Sequence, residues 1–243
     1  MDILLKVFFI PIFIVILSCA LLNANPILFC VLLFLLVCCA RKKNKVLYAV
    51  QSGDIKLLKK LIKNGANLNF RDNKEETLLH IAVKNGHHDI ASLLIHNGLD
   101  VHIVNSCGYT PLHYAVHLNN LDIAKLLIAH NSDINIGNDK GFTPLHLASM
   151  GDNINMVSFL LKNGSNVNKK NSSGEIPLHQ ASGWGSVEII KCLIENGSEI
   201  NSQNNWGNTP LHLAKRKHRD DVIELLINNG ADTTIRNNEN ETP

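Results

Sequence analysis

Beyond residue 44 the apolar positions fall into short helical stripes that alternate with polar stretches. Between residues 110 and 142, Leu112, Ala115 and Val116 are spaced for one face of a short helix. Ile123, Leu126, Leu127 and Ile128 form the stripe of a second, running from about Leu121 to His130. Thr110 suits the N-cap of the first helix, and Pro111 its first turn, where a missing N–H costs nothing. Asn119-Asn120 marks the end of that helix. Asn131 stops the second, since the same phase elsewhere holds Gly65, Gly98, Gly164, Gly197 and Gly230, which accept the left-handed backbone of a helix C-terminus. The polar run to Gly141, with Gly108, Gly174 and Gly207 in register, reads as a hairpin-like finger. The predicted unit is helix, turn, helix, finger.

The unit repeats. Thr110-Pro111-Leu112-His113 returns as Thr143-Pro144-Leu145-His146 and Thr209-Pro210-Leu211-His212, with looser copies at Thr77-Leu78-Leu79-His80 and Ile176-Pro177-Leu178-His179. The spacing is 33 residues throughout, and a degenerate first copy stands at Asn44-Lys45-Val46-Leu47. Six units therefore start at residues 44, 77, 110, 143, 176 and 209, and Thr242-Pro243 either opens a seventh in a shortened reading frame or only closes the last finger. A 33-residue period around T-P-L-H resembles the ankyrin repeat family over residues 44–243. The resemblance implies an all-α repeat solenoid of helix-turn-helix units with hairpin-like fingers. One unit cannot bury its own apolar face, so stability resides in the interfaces between stacked neighbours.

Ahead of the array the pattern changes. Val7 to Ala40 holds 34 residues without a charge, mostly Phe, Ile, Leu, Val and Cys. As helix this would span about 51 Å against a hydrocarbon core of about 30 Å, long for one crossing and short for two. Asn23-Ala24-Asn25-Pro26 divides residues 1–40 into one or two helices, because Pro26 disfavours helix at Asn25. A membrane hairpin, a cleaved signal followed by an anchor, and a single kinked span all fit. The opening residues make a poor signal, since Asp2 offsets Lys6. Arg41-Lys42-Lys43-Asn44-Lys45 is a basic flank of the kind that stays cytoplasmic, so the repeats are expected at a membrane, facing the cytoplasm.

Overall charge changes little. A net charge of +2 gives no support for nucleic acid as a partner. Four of six cysteines lie in the apolar segment and Cys107 and Cys192 stand far apart in the array, so no disulfide framework is expected. Five of twelve histidines are the repeat histidine, which the resemblance assigns to bonding neighbouring loop backbone. His87-His88 lacks a third ligand at metal spacing, and phosphate loop, nucleophile elbow and H-E-x-x-H are all missing. No enzyme, cofactor or small-molecule substrate is expected.

The family resemblance implies instead a protein partner bound at the fingers and the exposed side of the first, or inner, helix. By phase those positions hold Tyr109, His117, Leu118, Lys140, Phe142, Met150, Trp184, Trp206, Arg216 and Lys217, with Cys107 beside them. Both tryptophans of the chain are among them, and aromatic residues with Arg are enriched at binding hot spots. The competing expectation is that some of these rings only cover finger backbone. A secreted or translocated effector, with the amino terminus as an export signal, is the alternative to a membrane-held module. Two ends are also notable. Lys56, Lys59, Lys60 and Lys63 share one helix face opposite Leu57, Leu58, Leu61 and Ile62, suiting a polar end cap or an anionic surface. Lys215 to Asp221 put charges into the sixth unit, as a capping repeat would.

Overall fold

A computed structural model describes residues 45–243. The apolar segment, its division near Asn23-Pro26 and most of the basic flank lie outside the described residues. Among those described, no helix is long and apolar enough to cross a membrane.

Twelve helices in six pairs make up the described chain. Residues 45–52 are helical (α1) and pair with α2, Ile55–Lys63. The next pairs are α3 (Leu78–Lys84) with α4 (His88–His96), and α5 (Pro111–His117) with α6 (Leu121–Ala129). Then come α7 (Pro144–Ala148) with α8 (Ile154–Lys162), α9 (Pro177–Trp184) with α10 (Val187–Glu195), and α11 (Pro210–Arg216) with α12 (Asp220–Asn228). Odd-numbered helices are the inner ones. Each pair packs on the next, so the core is a ladder rather than a centre. Leu79, Leu112, Leu145, Leu178 and Leu211 form one buried row, and Leu94, Leu127, Leu160, Leu193 and Leu226 a second. Ala82, Ala115, Ala148, Ala181 and Ala214 form a third, where a small side chain lets inner helices approach. Burying a Leu contributes about 1.5–3 kcal/mol, and each row repeats that contribution at every interface.

Helix ends follow the local chemistry. Thr77, Thr110 and Thr143 cap α3, α5 and α7 from extended backbone, each hydroxyl accepting the N–H of the repeat histidine. α6 stops one residue short of the expected His130, and Asn131 takes the left-handed conformation at φ 63°. The inner helices differ. α7 has five residues and ends at Ser149, whose hydroxyl donates to the Leu145 carbonyl. α9 runs on to Trp184 and leaves through Gly185 in extended backbone. A β-carbon on Gly185 would lie 2.4 Å from the Ser149 carbonyl oxygen, so only glycine lets these two units close.

The fingers are turns, and no β-strand forms among the described residues. An Asn or Asp five residues before the cap organises each one. Asn138 Oδ1 accepts the N–H groups of Lys140 and Phe142, both at 3.0 Å, and Asn105, Asn171, Asn204 and Asn237 repeat the arrangement. Successive fingers then share one backbone bond each, such as Ser172 N–H to Lys140 O at 3.0 Å.

Candidate binding surface

The repeat histidine links helix, cap and finger. In His113, Nδ1 accepts the Thr110 backbone N–H at 3.1 Å and its hydroxyl at 2.8 Å. Nδ1 is thereby an acceptor, so Nε2 carries the proton and donates to the Phe142 carbonyl, 2.9 Å away in the next finger. His80, His146, His179 and His212 reach Tyr109, Glu175, Asn208 and Glu241 in the same way, at 2.9–3.1 Å. The expected loop-backbone role is what these rings perform. Burial pushes His113, His146 and His179 down to about 4, and lowers His80 as well. A ring held neutral between two fixed partners is a structural strut and has no free lone pair for chemistry.

The ten residues picked out by phase divide into three groups. Tyr109 and Phe142 are half-buried at finger bases. The Tyr109 ring lies 5.4 Å from His113 and 5.6 Å from Tyr114, and the Phe142 ring 5.6 Å from His146 in an edge contact. Their carbonyls receive the histidine bonds, so these two rings shield the struts. Packing over the histidine bonds accounts for the position of these two rings. Met150 is also half-buried, just past the short α7.

His117, Leu118 and Lys140 are exposed in the third unit. Trp184, Trp206, Arg216 and Lys217 are exposed in the fifth and sixth. Trp184 is 62% exposed and Trp206 55%. The long α9 carries Trp184 to its last residue, and Lys217, at the end of α11, places Nζ 3.9 Å from the indole centroid. That contact bridges two units and holds the ring in place without covering it. Trp206 and Arg216 line an open groove of about 550 Å³ with Asn204 and Lys215. Neither Arg216 nor Lys217 enters an ion pair among the described residues.

Sequence reasoning missed a polar cluster that spans the first three units. The Glu76 carboxylate is buried and accepts from Lys84 Nζ at 2.9 and 3.0 Å and from the Tyr114 hydroxyl at 2.7 Å. Asn105 donates to the same hydroxyl at 2.9 Å. Burial pushes Glu76 up, but the Lys84 and Tyr114 bonds outweigh it and hold the carboxyl below its ordinary range. Burial, reinforced by that carboxylate, raises Tyr114. The four groups satisfy one another, which makes the cluster an inter-unit lock and not a reactive site. Its signal in the sequence was faint, because Glu76 and Tyr114 are 38 positions apart and neither fills a repeated motif. Also missed were Asn135, Asn168 and Asn201, whose side chains donate to the Gly164, Gly197 and Gly230 carbonyls of the following unit at 2.9–3.2 Å.

Among the described residues no group of three or more His, Cys, Asp or Glu could hold a metal ion. A family model described as ankyrin repeats (3 copies) matches the chain in four overlapping windows, residues 46–138, 96–171, 131–204 and 163–237. No curated protein sequence matches the chain.

Proposed function

Because this chain belongs to the ankyrin-repeat family, and is on that ground a protein–protein interaction module, we propose that it binds one partner protein through the inner side of its fifth and sixth units while held at a membrane by residues 1–40. The observation that carries the reading is the pair of exposed indoles, Trp184 and Trp206, set beside Arg216 and Lys217, neither of which enters an ion pair among the described residues. An array whose core is Leu, Ile, Val and Ala does not need either ring for packing, and leaving two indoles in water forgoes their burial. Burial against a partner recovers it. His117, Leu118, Lys140 and Met150 extend the same side toward the third and fourth units, and Tyr109 and Phe142 support it from beneath. The work of the module is recognition, with no reaction of its own.

The membrane part of the proposal rests on the uncharged run Val7–Ala40 and the basic flank that follows it, which favours repeats facing the cytoplasm. A crosslinking pull-down with residues 41–243 tests the recognition part. Trp184→Ala and Trp206→Ala should each weaken the captured partner by about 2 kcal/mol, roughly thirtyfold, with the unfolding midpoint unchanged. A lowered midpoint with unchanged affinity would remove both residues from the site. A shortened, soluble product in cells, in place of the intact amino terminus in a membrane fraction, would favour the exported-effector alternative.

A further inference from the structure

The first unit departs from the others in the sign of its charge. At one fixed phase near the start of the outer helix, the later units carry Asp89, Asp122, Asn155, Glu188 and Asp221, all exposed. α2 carries Lys56 there, and no acidic residue anywhere in its nine. Negative groups are favoured at a helix N-terminus and positive ones disfavoured, so Lys56 works against its own helix. A polar end cap alone would be served better by Asp or Glu. The helix dipole favours Lys60 and Lys63 in the last turn and is served at the N-terminus by the Asp54 cap, so it is Lys56 whose positive sign needs a cause outside the helix.

A second position points the same way. Four residues further on, Leu93, Leu126, Phe159, Cys192 and Leu225 are half-buried against the core. This phase faces the preceding unit: Cys192 Sγ lies 3.8 Å from Ser158 Oγ across the interface. In α2 the position is Lys60, and it is exposed. Lys59 and Lys63 complete the same face, also exposed, and none of the four enters an ion pair among the described residues. The face that would receive another unit is thus four lysines wide and unpaired. α2 begins ten residues after Lys45, at the end of the basic flank and close behind the apolar segment.

We infer that the lysine face of α2 docks on an anionic lipid surface, namely the leaflet beside the amino-terminal segment. This rests on the membrane reading above and adds an orientation to it. Docking the first unit stands the array with its amino-terminal end on the leaflet, and the indoles of the fifth and sixth units at the far end. A lysine near such a surface strengthens association by about fivefold, and four act together.

The test uses the full chain in lipid nanodiscs of phosphatidylcholine alone or mixed with phosphatidylserine. Co-purification with the discs reads anchoring, and mass-spectrometric rates of lysine acylation read docking. Lys56, Lys59, Lys60 and Lys63 should label about fivefold or more slowly on the phosphatidylserine discs, with Lys191 of α10 unchanged and the difference lost in high salt. Lys56→Gln with Lys60→Gln should restore most of the rate at Lys59 and Lys63. Co-purification with equal labelling on both discs would leave the face to solvent or to an acidic protein, overturning lipid docking while anchoring stands. Slowed labelling on both discs alike would mean steric cover and would overturn it too. Protection on phosphatidylserine discs without retention on neutral ones would keep docking and remove the anchor. No retention on either disc would remove both.

Discussion

Acidification should unfold this array over a pH range set by its buried histidines. His113, His146 and His179 are pushed down to about 4 by burial, while the same rings in the unfolded chain titrate near 6.5. Below pH 6.5 the unfolded chain takes up protons that the native rings refuse until about pH 4. The stabilisation is therefore present at neutral pH and lost as the pH falls through that window. A gap of about 2.5 pH units is worth about 3 kcal/mol per ring, or roughly 10 kcal/mol for the three. The whole stability of a domain is about 5–15 kcal/mol, so the loss is decisive. His80 is lowered too and adds in the same direction. Glu76, held below the ordinary carboxylate range, gives up its contribution only at lower pH. Urea unfolding of residues 41–243 in steps from pH 7 to pH 4 reads the effect directly. Near pH 5 the free energy should fall by about 4 kcal/mol per pH unit, and His146→Gln should reduce that slope by about a third. A flat profile down to pH 5, or an unchanged slope in the variant, would show that the rings are not the neutral struts their bonds imply.

Three further outcomes follow from the packing and the flank. Leu160 is fully buried, so Leu160→Ala should cost about 2–5 kcal/mol in chemical denaturation and loosen both adjoining interfaces, while Thr143→Ala, losing only a cap, should cost about 1 kcal/mol. Gly174 has φ +73°, and a β-carbon there would lie 2.9 Å from the Asn205 backbone nitrogen. Gly174→Ala should thus destabilise by more than about 1 kcal/mol, and hydrogen exchange should locate the loss at the finger between the fourth and fifth units, where it meets the next finger at Asn205. Protease added outside sealed cells should spare the repeats until the membrane is permeabilised; digestion before that would place them on the other side.

Much of the fold was legible in the chain because its determinants are local and periodic. A threonine cap, a first-turn proline, helical Leu stripes and a left-handed stop recur every 33 residues, and each acts within a few positions of itself. The same periodicity placed the histidine and the ten surface candidates in register. Tertiary structure decided what period alone could not. Tyr109 and Trp206 both looked like finger aromatics by phase. Stacking on His113 and Tyr114 makes Tyr109 a cover for a strut, whereas Trp206 stands in the open, since no ring lies against it. The prominence of Trp184 depends on Gly185 leaving its helix in extended backbone against Ser149, 36 positions earlier, a contact no local pattern encodes. Glu76, Lys84 and Tyr114 came together only because successive units stack, which pairs residues by space and not by spacing. Local propensities wrote the unit; desolvation across the interfaces chose which of its side chains remain free to meet a partner.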